Sequence, residues 1–172
     1  MSLLRICCLS LLAIFFSGQT FAAMLSPFYN FVGVTVPNPT TPQRVKAALV
    51  NAALLQTWTI VENPDGSLTA SMWKVREYDF KVRITYDAAH YSVVYLDSKG
   101  LSYTFKYSDS VTSDRDKDRL QEVETRLSES IQSRPEAAFA VKTEAHMHAA
   151  CNFWIGDLLA GVRRELVAPA MP

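Results

Sequence analysis

Apolar and polar residues alternate with a period of two along several stretches of the chain between Trp58 and Tyr107. In the clearest stretch, Phe80–Asp87, every second residue is aromatic or aliphatic, and the others are charged or carry a hydroxyl group. Such a strand has one buried and one solvated face. The pattern predicts five strands, which are Trp58–Val61, Leu68–Arg76, Phe80–Asp87, Tyr91–Leu96 and Leu101–Tyr107. Their connections are short, so successive strands should run antiparallel as a meander.

A helical period precedes the first of these strands. Thr41 can cap a helix, and Pro42 suits its first position, where no backbone N–H is needed. From Val45 to Leu55 apolar residues recur at intervals of three and four, which places them on one helical face. These signals predict a helix that ends near Gln56.

Two more helical patterns follow the strands. The first lies in a highly charged insertion at about residues 108–135, and its narrow apolar seam consists of Leu120, Val123, Leu127 and Ile131. We predict that this helix docks along the domain edge or mediates self-association through residues 120–131. The second pattern predicts a helix from about Glu144 to Val167. Its apolar stripe consists of His148, Cys151, Ile155, Leu158 and Val162.

These elements predict an α+β fold, in which a four- to five-stranded antiparallel meander is covered on one face by the N-terminal and C-terminal helices. The covered face should carry Phe80, Val82, Ile84 and Tyr86. We expect residues 41–168 to form a single domain. The preceding segment, 23–40, contains three prolines and should be an extended lead-in that can add an edge strand at Phe31–Val36.

The N-terminus has the layout of a secretory signal peptide over residues 1–22. Arg5 supplies a positive charge, Ile6–Phe16 is almost entirely apolar, and small residues follow. The apolar run is too short to span a bilayer. We expect cleavage after Ala22 or Ala23, a periplasmic or secreted protein, and no transmembrane span in the mature chain.

The composition argues against nucleic acids and phosphate-bearing cofactors as ligands. Lys and Arg together number 17, as do Asp and Glu, so no net charge draws the chain onto nucleic acid. The chain has six glycines and no glycine-rich phosphate loop. We therefore expect no nucleic-acid partner and no cofactor.

The cysteines and histidines suggest a second interpretation. Signal cleavage would leave Cys151 as the single thiol, so no internal disulfide could form. Thiolates and imidazoles are good metal ligands, but on a helix His146 would lie about 200° from His148. A Cys151–His148 nucleophile pair lacks an evident acidic group to orient it. We expect neither a metal site nor a catalytic site, with a metal-binding or thiol-dependent protein centred on His148 and Cys151 as the alternative.

Several residues also occur in the order of a known motif series. The first helix contributes Val45, Ala48, Leu49, Ala52 and Ala53, and Trp58 follows. The strands contribute Ile84, Tyr86, Tyr91, Val93, Tyr95, Ser98, Leu101 and Tyr103. The last segment contributes Met147, His148, Asn152, Trp154, Ile155 and Leu158. In this order they resemble a family of small, uncharacterised bacterial envelope proteins, many of them predicted lipoproteins.

The resemblance implies a place in the bacterial envelope and no particular activity. Its motifs are a helix of the form I-x-x-A-I-x-x-A-L, then R-G-W, then I-x-Y and Y-x-I-x-Y-x-x-S-x-x-L-x-Y, then I-H-x-x-Y-N-x-W-(I/V)-x-x-L. This chain departs from them at Thr57, which occupies the glycine position, and at Cys151, which occupies a tyrosine position. It also inserts residues from Thr104 to about Ala145.

Polar and aromatic residues beside the last apolar stripe suggest a binding groove between the last helix and the sheet. The candidate groove residues are His148, Asn152, Trp154, Tyr95 and Tyr103. We expect a small exported, non-catalytic protein that binds an unknown protein or small ligand in the envelope, or serves there as an accessory protein.

Overall fold

The computed structural model describes residues 25–74, 78–99 and 114–168. These residues form six strands, three α-helices and one 3-10 helix. In chain order the elements are β1 (Leu25–Thr35), α1 (Pro42–Leu55), β2 (Thr59–Glu62), β3 (Leu68–Lys74), β4 (Tyr78–Tyr86), β5 (His90–Lys99), α2 (Asp114–Gln132), the 3-10 helix (Pro135–Phe139), β6 (Ala140–His148) and α3 (Ala150–Val167). The predicted signal peptide, its cleavage site and the predicted strand Leu101–Tyr107 lie outside the described residues.

The fold is α+β, as predicted, with one antiparallel sheet in the strand order β2-β3-β4-β5-β1-β6. Strands β2 to β5 form the predicted meander. The described sheet has six strands rather than four or five, because the chain adds β1 and β6 beside β5.

Two predictions are wrong, one on the place of a strand in the sheet and one on the start of a helix. The lead-in strand lies inside the sheet between β5 and β6, and not at the edge. The last helix begins at Ala150 rather than near Glu144, because the preceding residues pair with β1. In that pairing Met147 lies opposite Ser26, and both are fully buried. The ladder to β1 gives this segment backbone partners and overrides its helical spacing.

Helices α1 and α3 cover the sheet face that carries Phe80, as predicted. The Phe80 ring lies 6.0 Å from Trp58, just after α1, and 6.2 Å from Trp154 on α3. The two helices approach closely at Gly161, where a Cβ atom would lie 3.1 Å from the Cβ of Ala52. Small residues at this point therefore set the distance between the helices.

Polar contacts at both ends of α1 fix its direction relative to α3. Near its start, the Arg44 guanidinium donates to the carbonyl oxygens of Glu165 and Ala168, at 3.0 and 3.1 Å. Near its end, Nε2 of Gln56 donates to the Asp157 carbonyl at 2.7 Å. The two helices therefore run in opposite directions, and Arg44 satisfies carbonyl groups that the end of α3 leaves without helical partners.

Helix α2 lies where the charged helical pattern predicts a helix, and it contacts β1 and the 3-10 helix. Its seam residues Leu127 and Ile131 are buried within the chain, while the side chains of Leu120 and Val123 lie outside the description. Self-association through this helix stays a prediction. No helix in the described ranges is long and apolar enough to cross a membrane.

Helix α1 ends in a Schellman motif at Thr57. The N–H of Thr57 donates to the Leu54 carbonyl, and the N–H of Trp58 donates to the Ala53 carbonyl, both at 3.0 Å. The motif requires a left-handed residue at this point, and Thr57 has a φ of 64°. A β-branched residue is strained there, and glycine is the usual occupant.

We expect Thr57→Gly to stabilise the protein by about 1 kcal/mol, because glycine adopts the left-handed region without the Cβ clash. Urea unfolding followed by circular dichroism measures the change. The matched control is Thr59→Gly in β2, which should destabilise because Thr59 has an extended backbone. A loss of stability in Thr57→Gly would contradict this account.

Candidate functional site

The helix pair and β3 border an open depression of about 360 Å³, which we call the Trp154 cleft. Its lining residues are Gln56, Met72, Trp154, Asp157, Ala160 and Arg164. Helix α3 supplies four of them at spacings of three, three and four residues, so they share one face of the helix. The end of α1 supplies Gln56, and β3 supplies Met72.

The inner wall of the Trp154 cleft is apolar and firmly supported. Met72 is only 3% exposed, and the half-buried Trp154 ring packs on Phe80 with an interplanar angle of 55°. Phe80 in turn contacts the rings of Phe28 and Tyr95. Phe28 and Phe80 are core residues, and Trp154 and Tyr95 pack against this core, so the wall is supported from inside the fold.

The rim of the cleft is charged. Asp157 and Arg164 are both exposed, and within the described parts of the chain neither forms an ion pair. The amide of Gln56 is held at the rim by its hydrogen bond to the Asp157 carbonyl. The cleft therefore offers an aromatic surface between one anionic and one cationic group.

Asn152, one of the predicted groove residues, serves the fold instead. It is 4% exposed, and its amide bonds to three groups of β1. Its Oδ1 accepts from the Tyr29 N–H at 3.1 Å, and its Nδ2 donates to the Pro27 carbonyl at 2.9 Å and to the Ser26 hydroxyl at 3.3 Å. These contacts fasten the first turn of α3 to the sheet.

The contacts of Asn152 lie where β1 and β5 separate. The pairing of these strands runs only between Phe31 and Thr35 of β1. Beyond it, the Tyr95 N–H of β5 donates to the Asn30 side chain at 2.8 Å, and the Phe28 ring fills the gap edge-on to Tyr95 at 5.8 Å. Two asparagine side chains thus replace the missing ladder bonds.

The other predicted groove residues also have structural contacts. His148 ends β6 rather than lying on a helix, and its Nδ1 accepts from the Ala150 N–H at 3.2 Å, at the start of α3. The Tyr95 hydroxyl lies 3.1 Å from the Ser98 hydroxyl. Tyr103 lies outside the described residues. Of the predicted set, Trp154 lines the cleft, and the use of the groove as a binding site stays a prediction.

The thiol of Cys151 is fully buried in the core. Burial raises its pKa to about 12. Little thiolate exists at neutral pH, and the thiolate is the form that attacks substrates and binds metals. Within the described ranges no group of three His, Cys, Asp or Glu side chains could hold a metal ion.

Two other surfaces offer less to a ligand. A larger depression of about 410 Å³ borders α2, but its walls are mostly amide, hydroxyl and charged side chains, among them Gln121, Thr125 and Lys142. On β4, Lys81 pairs with Asp79 at 2.8 Å, and Arg83 pairs with Asp65. The cations of this strand are therefore already neutralised within the chain.

Comparison of the chain with protein-family models, curated proteins and solved structures gives no match. The candidate site thus depends on the geometry of this chain alone. Of the six residues that line the Trp154 cleft, the sequence predicted Trp154 and not the other five. The spacing of Asp157, Ala160 and Arg164 from Trp154 could have placed them on one helical face, but nothing local to Gln56 or Met72 points to the cleft.

We expect Asn152→Ala to destabilise the fold by roughly 2–6 kcal/mol, because the Tyr29 N–H and the Pro27 carbonyl lose their partner at about 1–3 kcal/mol each. Urea unfolding measures the loss. The control is Asn51→Ala, which removes an exposed amide with a single long contact of 3.4 Å to Glu165. Equal losses in the two variants would contradict the role assigned to Asn152.

Because of its burial, the Cys151 thiol should react with Ellman's reagent at pH 8 only as fast as the protein opens, and promptly in denaturant. Its pKa is raised from 9.0 to about 12, so this group favours the folded state fully below pH 9 and progressively less as the pH rises towards 12. Ser133→Cys, at an exposed position, is the positive control. Equal rates for Cys151 and the introduced cysteine would contradict the prediction.

Proposed function

We propose that this chain is a small exported protein that binds a ligand in the Trp154 cleft without transforming it. The observation that carries the proposal is the pairing of an apolar inner wall, formed by Met72 and Trp154, with an exposed polar rim. Ligand sites combine these two features, because the apolar surface supplies affinity and a few polar groups orient the ligand. The volume of about 360 Å³ suits a small molecule or a short peptide segment.

Export is the second part of the proposal. The apolar run Ile6–Phe16 after Arg5 supports it, as do the small residues before Ala22. A mature chain with Cys151 as its single thiol also suits an oxidising compartment, since a fully buried thiol is protected from exchange. We place the protein in the periplasm or outside the cell.

The surroundings of Cys151 favour this proposal over the thiol or metal interpretation centred on His148 and Cys151. Cys151 faces the core with a raised pKa, and the Nδ1 atom of His148 accepts a backbone hydrogen bond. A cysteine that acts as a nucleophile or metal ligand requires an accessible thiolate. Binding in the cleft requires neither group.

The cleft can be tested by filling it. We expect 1-anilinonaphthalene-8-sulfonate, an aromatic anion, to bind the folded protein saturably at one site. Ala160→Phe should weaken this binding at least tenfold, because Ala160 is an exposed lining residue and a phenyl ring would occupy the cleft. Ala47→Phe, at an exposed position on α1, is the matched control and should bind normally. Fluorescence titration measures the affinity.

Protein for this titration comes from the periplasmic fraction of cells that express the full chain, where a mass lacking residues 1–22 or 1–23 is expected. Equal affinity in the two phenylalanine variants would contradict the cleft as the site. A full-length mass confined to the cytosol would contradict export.

A further inference from the structure

Two opposite charges mark the ends of one wall of the Trp154 cleft. Asp157 and Arg164 are seven residues apart on α3, which is nearly two turns, so they lie on the same face. A rise of 1.5 Å per residue separates them by about 10 Å along the helix. Ala160 lies between them, and its small side chain leaves the wall open.

Within the described residues, neither of these charged side chains forms an ion pair. Asp157 accepts the Gln56 bond through its backbone carbonyl, which leaves its carboxylate available. Arg164 likewise contributes its backbone carbonyl, to the Ala168 N–H, while its exposed guanidinium has no ion pair among the described residues. By contrast, the cation Lys46 on α1 is paired with Glu62 at 2.6 Å. A ligand with charges at both ends would complement this rim.

From this geometry we propose that the cleft takes a short peptide of about three residues with free amino and carboxyl termini and an apolar side chain. The proposal depends on the proposed function of the cleft. An extended chain spans about 3.3–3.6 Å per residue, so three residues cover about 10 Å. The peptide amine would meet Asp157, and its carboxylate would meet Arg164, whose planar fork suits a bidentate bond.

The rest of the lining suits the body of such a peptide. An apolar side chain would pack on Trp154 and Met72, which form the inner wall. The Gln56 side chain keeps its Oε1 as an acceptor for a peptide N–H, because its Nε2 is already fixed to α3. A fatty acid could pair with Arg164 but would leave Asp157 without a partner. A polyamine could pair with Asp157 but would leave Arg164 without one.

Isothermal titration calorimetry of the mature protein with the tripeptide Ala-Phe-Ala tests the proposal. We expect one site, with acetylation of the amine or amidation of the carboxylate each weakening binding at least tenfold. Arg164→Gln should remove the discrimination against the amidated peptide only, and Asp157→Asn the discrimination against the acetylated peptide only. Arg163→Gln makes the same change in net charge at an exposed position outside the cleft, and should change nothing.

Three results would overturn this proposal. They are equal binding of the doubly blocked peptide, tighter binding of decanoate or spermidine than of the tripeptide, and no tripeptide binding at all. If the tripeptide does not bind, the cleft can still be a site for another ligand class. In that case 1-anilinonaphthalene-8-sulfonate would bind the protein, and Ala160→Phe would weaken that binding. Failure of both probes would remove the proposed function as well.

Discussion

The structure depends on how the backbone of β1 is satisfied where β5 separates from it. Buried N–H and C=O groups need partners, and on the N-terminal side of Phe31 only β6 still pairs with β1, because the pairing with β5 has ended. Asn152 supplies them from α3, and Asn30 supplies the matching acceptor for β5. Asn152 therefore ties the first turn of the last helix to β1, beside the bond that His148 of β6 accepts from Ala150.

Two packing contacts of α3, one near its start and one farther along, shape the cleft. With its first turn fixed, α3 places Trp154 on Phe80, so the aromatic core continues to the protein surface. Farther along, the close approach of Gly161 to α1 holds the helices together at one side, while the adjacent face of α3 remains uncovered. The cleft is the space that this arrangement leaves beside β3. Its apolar wall is an extension of the core, because Trp154 packs against Phe80.

The local elements were predictable, and the long-range ones were not. Helix α1 and strands β2 to β5 follow from periodicity and turn residues, because each signal lies within the element itself. Strand β6 becomes a strand only through its pairing with β1, more than a hundred residues earlier, and no local pattern reports such a partner. The same limit applies to the candidate site. Trp154 was identifiable from its place beside the helical stripe, whereas Met72 joins it through the tertiary fold alone.

The residues that look most reactive in the sequence are those that the fold has already used. His148 bonds to the start of α3, Cys151 fills the core, and Asn152 holds β1. All three lie within the junction between β6 and α3, where backbone groups change partners and polar side chains are needed for structure. On α3, the charged side chains without a bond within the described residues lie beyond this junction, where the helix satisfies its own backbone. Asp157 and Arg164 are in that position, and for this reason the proposed recognition involves the helix face beside Trp154 and not the helix start.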